Sequence, residues 1–120
     1  MTGPERRKFP RIEDRDLSIK LNLGDYDSIT HTLNLSTTGI YCKVDKQMPL
    51  MSRVRLMLIV PDASGVEKEA HNLEIDGVIV REHPVIMNGE VKHYDCAIFF
   101  ENLSAKDTEI ISAYISKKNK

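Results

Sequence analysis

Tryptophan is absent from this 120-residue chain, and aromatics are few: four tyrosines and three phenylalanines. Most of them fall at core-like positions of apolar strands. A site for single-stranded nucleic acid needs exposed aromatics along a basic groove, so the shortage counts against that reading. A broad excess of either charge is also missing. The net charge is -1 and the sequence pI is about 6.4, unlike the strongly basic balance of a general nucleic-acid binder. Cysteine is limited to Cys42 and Cys96, far apart and without CxxC spacing. The expectation is two buried free thiols in a reducing compartment, with no disulfide and no metal site. No apolar run approaches the roughly 20 residues needed to span a bilayer, and "MTGPERRKFP" lacks the apolar stretch of a signal peptide. A cytoplasmic protein without membrane insertion is expected. Catalytic patterns are lacking too. His31, His71, His83 and His93 are scattered without HExxH or HxH spacing, and there is no GxSxG or Walker loop. The sequence gives no support for an enzyme or for a cofactor.

What is present begins at residues 6–11, "RRKFPR", where four of six side chains are cationic. Charge that is local on a near-neutral chain suits a small anionic ligand, although a charged terminal arm is often only solvated. Residues 1–16 are polar, carry Pro4 and Pro10, and read as an arm. Pro10 pushes Phe9 towards an extended conformation. In an extended segment Arg7 and Arg11 point the same way, roughly 13 Å apart at the backbone.

From Leu17 the pattern changes to alternation. "LSIKLNL" places Leu17, Ile19, Leu21 and Leu23 on one face, as in a half-buried strand. "SITHTLNL", "IYCKV" and "RVRLMLIV" read as further strands separated by turn-rich segments. "EKEAHNLEIDGVIVRE" reads as a long or broken strand, with Gly77 as a bulge or close-approach point. "HPVIMNGE" reads as a hairpin loop and "VKHYDCAIFFE" as the last strand. A helix is expected over residues 104–118. Ser104 serves as N-cap, Ile110, Ile111, Tyr114 and Ile115 form one stripe, and Lys117 and Lys118 suit the C-terminal end of the helix dipole. The sum is a mostly β domain: a small six- or seven-stranded antiparallel barrel over residues 17–120, with an N-terminal arm and a C-terminal helix.

The second informative stretch is "NLSTTG", residues 34–39. Its plain reading is a turn between strands, with Ser early and Gly at the end. Its order and distance from "RRKFPR" are more specific, with 22 residues between Arg11 and Asn34. The chain resembles a PilZ domain, a bacterial receptor for cyclic di-GMP. The family's RxxxR motif matches Arg7-Lys8-Phe9-Pro10-Arg11, and its [D/N]xSxxG motif matches Asn34-Leu35-Ser36-Thr37-Thr38-Gly39. "GVIVRE" resembles the family's later G-x-V-x-R strand, and "YDCAIFFENLS" its closing strand. A second RxxxR register, Arg11 to Arg15, is disfavoured because Glu13, Asp14 and Asp16 compete for Arg15.

The resemblance implies a single-domain, non-enzymatic receptor or adaptor for cyclic di-GMP. Its arm would change conformation on binding and so alter the surface offered to an unidentified downstream protein. The site residues it implies are Arg6, Arg7, Arg11, Asn34, Ser36 and Gly39. The chemistry agrees. Arginine forks bind phosphate oxygens bidentately and can pair with or stack on guanine. Asn34 and Ser36 offer acceptors to guanine N–H groups. Gly39 permits an unusual backbone conformation or a close approach of ligand. Arg81 is a candidate third contact, its simpler reading being a solvated strand end. Asn34 departs from the aspartate of many members. A neutral amide lacks the charge that strengthens such a bond, so affinity is expected to be lower. A PilZ-like adaptor that works in pilus or flagellar control without nucleotide is the alternative, and intact Arg7, Arg11, Ser36 and Gly39 count against it.

Overall fold

A computed structural model describes residues 11–13, 17–22, 27–61 and 70–118. Seven strands precede one helix: β1 (Arg11–Glu13), β2 (Ser18–Asn22), β3 (Asp27–Ser36), β4 (Gly39–Val44), β5 (Arg53–Val60), β6 (His71–Met87), β7 (Glu90–Glu101) and α1 (Ala105–Lys118). All pairings are antiparallel, in the order β1-β3-β2-β5-β6-β7-β4. β3 also pairs with β4, which brings the two ends of the sheet together into a nearly closed barrel.

Alternation explains the interior. β5 sends Val54, Leu56, Leu58 and Val60 inward and leaves Arg53, Arg55 and Ile59 outside. Leu17, Ile19 and Leu21 meet them from the β2 side, and Ile40, Cys42, Val44, Cys96, Ile98 and Phe100 from β4 and β7. α1 packs against β1, β3 and β5 and adds Ile111, Tyr114 and Ile115 to the same core. Its start follows from capping, since the Asp107 amide donates to Ser104 Oγ at 3.0 Å. No helix among the described residues is long and apolar enough to cross a membrane.

Two segments differ from the sequence reading. Residues 11–13, read as part of an arm, form a short strand beside β3. The segment read as a hairpin loop is largely strand, for β6 runs on to Met87 and only Asn88 and Gly89 turn. Both have positive φ, 54° and 79°, as a tight Asn-Gly hairpin requires. Pro84 is tolerated because the last part of β6 pairs with β7 alone, which leaves its other edge needing no amide donor. Gly77 is a close-approach point: an added Cβ would lie 2.5 Å from Ile98 Cγ2. The β6–β7 register shifts occur elsewhere, at Val80 and at Lys92.

Candidate functional site

The "NLSTTG" segment joins β3 to β4, and Ser36 organises its turn. Ser36 Oγ accepts from the Thr38 amide at 3.2 Å, lies 3.1 Å from Thr38 Oγ1 and donates to the Gly39 carbonyl at 3.4 Å. The Phe100 amide donates to the Thr38 carbonyl at 2.9 Å, so the turn is fastened to β7. Gly39 sits opposite Phe99, and an added Cβ there would lie 2.6 Å from the Ile98 carbonyl oxygen. Gly89, not Gly39, is the described glycine with positive φ. Gly39 is therefore demanded by the close approach of β7 and not by a left-handed backbone. Ser36 is buried, and its hydroxyl is engaged within the turn.

Strand pairing unites the two ends of the motif pair. Arg11 on β1 is the register partner of Ser36, and Glu13 that of Asn34. Arg6 and Arg7 lie outside the described residues. Asn34 in turn faces Tyr41 on β4, Tyr41 faces Ala97 on β7, and Ala97 faces Arg81 on β6. Asn34 and Arg81, 47 positions apart in sequence, thus share one row across the outside of the barrel. The next row holds Lys43, Asp95 and His83, and beyond it Val85 faces His93.

These rows line an open cleft of about 520 Å³ formed by Leu33, Asn34, Tyr41, Lys43, Arg81, His83, Val85, His93 and Asp95. Among the described lining residues Arg81 and Lys43 bring positive charge, set against one carboxylate, Asp95. His93 Nε2 lies 3.2 Å from Asp95 Oδ1, yet the contact is off the line of a hydrogen bond, and that oxygen is covered without a bonded partner. Among the described residues no three His, Cys, Asp or Glu side chains are grouped to hold a metal ion. Tyr41, Lys43, His83, His93 and Asp95 escaped the sequence reading. The signal for Tyr41, Lys43, His93 and Asp95 was outward position in alternating strands, which any solvated sheet face also shows, and His83 fell in the segment read as a loop.

A sequence model of the PilZ domain matches residues 5–117. The chain belongs to the PilZ domain family. Its fold is similar to that of several solved proteins. The PilZ domain of Escherichia coli YcgR with c-di-GMP matches at a TM-score of 0.67 and 14% identity, over 96% of this chain and 93% of that one. The Bacillus subtilis inhibitor of motility, MotI/DgrA, matches at 0.79 and 16% identity, over 96% of this chain and 52% of that one. The K. pneumonia MrkH–c-di-GMP complex matches at 0.72 and 13% identity, over 96% and 52%. The chain therefore spans about half the length of the MotI and MrkH chains, and at these identities the likeness is one of fold. No curated protein matched in sequence.

Proposed function

We propose that this PilZ domain is a cyclic di-GMP receptor that acts as a cytoplasmic adaptor and not as an enzyme. The observation that carries the reading is the register of β1 on β3, which sets Arg11 of RxxxR beside Ser36 of NxSxxG. Sequence segments 22 residues apart thus meet at one edge of an outward cleft. The ligand offers two phosphodiesters and two guanines. Arg6, Arg7 and Arg11 clamp phosphate and base through charge-assisted bonds. Asn34 accepts from a guanine N–H group. Ser36 and Gly39 hold the turn that presents Asn34, and Arg81 closes the far side of the same row. Folding the N-terminal arm over the barrel on binding costs ordering entropy, which the phosphate and guanine contacts offset. The altered surface is what a downstream protein, in motility or biofilm control, would read. MrkH and YcgR, each solved with c-di-GMP, make the ligand class a natural one for this fold.

Calorimetry with cyclic di-GMP tests the proposal and gives affinity with stoichiometry. Arg7→Ala and Arg11→Ala should each weaken binding by about 10- to 100-fold, the loss of charge-assisted bonds worth about 1.5–3 kcal/mol. Wild-type affinity in both variants would show that the arginines are no clamp.

A further inference from the structure

The geometry points to a purine slot between Tyr41 and Arg81, floored by Ala97 and read at one end by Asp95. The inference rests on the cyclic di-GMP reading and assigns recognition of one guanine to residues outside the two sequence motifs. Tyr41 and Arg81 are both register partners of Ala97, on its two sides. Two strand spacings separate them, about 10 Å. A planar base standing between them lies about 5 Å from each, within the range of aromatic stacking and of guanidinium–π contact. Tyr41 and Arg81 both line the cleft, Arg81 is exposed and Tyr41 half-buried. Between them in that row stands Ala97, whose side chain is a single methyl. Any longer side chain there would fill the slot.

Asp95 decides which base fits. It lies two residues before Ala97 on β7, hence on the same face, and it lines the same cleft. About a third of its side chain is exposed, while Oδ1 is covered on the His93 side. A carboxylate is acceptor-only. Guanine presents two N–H donors, N1 and N2, on its Watson–Crick edge. Adenine presents an acceptor, N1, beside its amino group and meets the carboxylate lone pair to lone pair. Asp95 thereby supplies the charged acceptor that Asn34, as an amide, does not. Stacking on an aromatic and an arginine plane, with the Watson–Crick edge read by hydrogen bonds, is how proteins hold unstacked bases in general.

The test compares cyclic di-GMP and cyclic di-AMP by calorimetry on the full chain, with thermal melts to confirm folding. Wild type should prefer cyclic di-GMP. Tyr41→Ala and Ala97→Leu should weaken cyclic di-GMP binding by about 10- to 100-fold, and Tyr41→Phe should retain it because only the ring is needed. Ala97→Val serves as a smaller obstruction should Ala97→Leu fail to fold. Asp95→Asn should narrow the preference for guanine over adenine, which loss of packing alone would not do. Wild-type binding with unchanged affinity in Tyr41→Ala, Ala97→Leu and Ala97→Val overturns the slot while leaving the receptor reading intact. An unaltered base preference in Asp95→Asn overturns the assignment of Asp95. Absence of cyclic di-GMP binding by the wild-type chain overturns both readings together.

Discussion

Alanine at position 39 would set a methyl carbon 2.6 Å from the Ile98 carbonyl oxygen, closer than packed atoms tolerate. β4 and β7 must part locally, at a cost of about 1–3 kcal/mol. Gly39→Ala should therefore lower Tm by several degrees in calorimetric melts, without ligand. A variant that melts like wild type would instead place the glycine's importance in ligand contact. The glycine was visible in the sequence as the end of NxSxxG, but its reason was not. The carbonyl it makes room for belongs to a strand some sixty residues later, and only register reveals it. The cysteines give a similar contrast. Buried free thiols were legible from apolar context, and both are buried and free. That Cys42 and Cys96 face each other across β4 and β7 was not legible from their spacing. Burial raises both thiols, Cys42 further through Cys96 and Asp95, and Cys96 up to about 11, with Glu82 and Asp95 adding to the effect. The unfolded chain releases these protons first, near its ordinary value of 9.0. Stability should accordingly fall as pH rises from about 9 towards 11. Denaturant titrations should show a shallower fall in Cys42→Ala/Cys96→Ala, and alkylation of the native protein should be slow.

Helix α1 was the most legible element, because capping and a 3.6-residue stripe are local signals. Ser104 caps it and Ile111, Tyr114 and Ile115 are buried, as the spacing required. Ser104→Ala removes one acceptor for an orphan amide and should cost about 1 kcal/mol. The expected result is a lower Tm with unchanged cyclic di-GMP affinity, since the cap is not among the cleft residues. Strand β6 was harder. His83 and Pro84 resemble loop residues, and proline is rare inside sheets. Nothing local shows that this stretch pairs with β7 on one side only, which is the circumstance that admits proline. Strand β1 escaped for a related reason. Three residues are too few to establish alternation, and Arg11–Glu13 is a strand only because the end of β3 offers it an edge.

For the barrel as a body, a small antiparallel barrel of six or seven strands followed from alternation, turn signals and the family resemblance. The cleft did not, because it is assembled from β3, β4, β6 and β7 through register. The receptor reading makes a prediction about the entire domain. Cyclic di-GMP should slow amide exchange over residues 6–11 and 34–39, while core amides of β5 change little. Binding should also weaken as salt rises, because phosphate contacts near the surface are screened. Protection confined to α1 would place the ligand elsewhere and return "RRKFPR" to the status of a solvated tail.

The β6–β7 hairpin has a practical consequence. Beyond Pro84 and Tyr94 its strands pair only with each other, yet the same two strands carry Val85 and His93 in the cleft wall. The tip is therefore a pointer fixed at its base to whatever occupies the cleft. Both native thiols are buried, so a cysteine introduced by Glu90→Cys, at an exposed position, would be the one a maleimide dye reaches in the folded protein. The emission of that dye would follow filling of the cleft in real time, against a background without indole fluorescence.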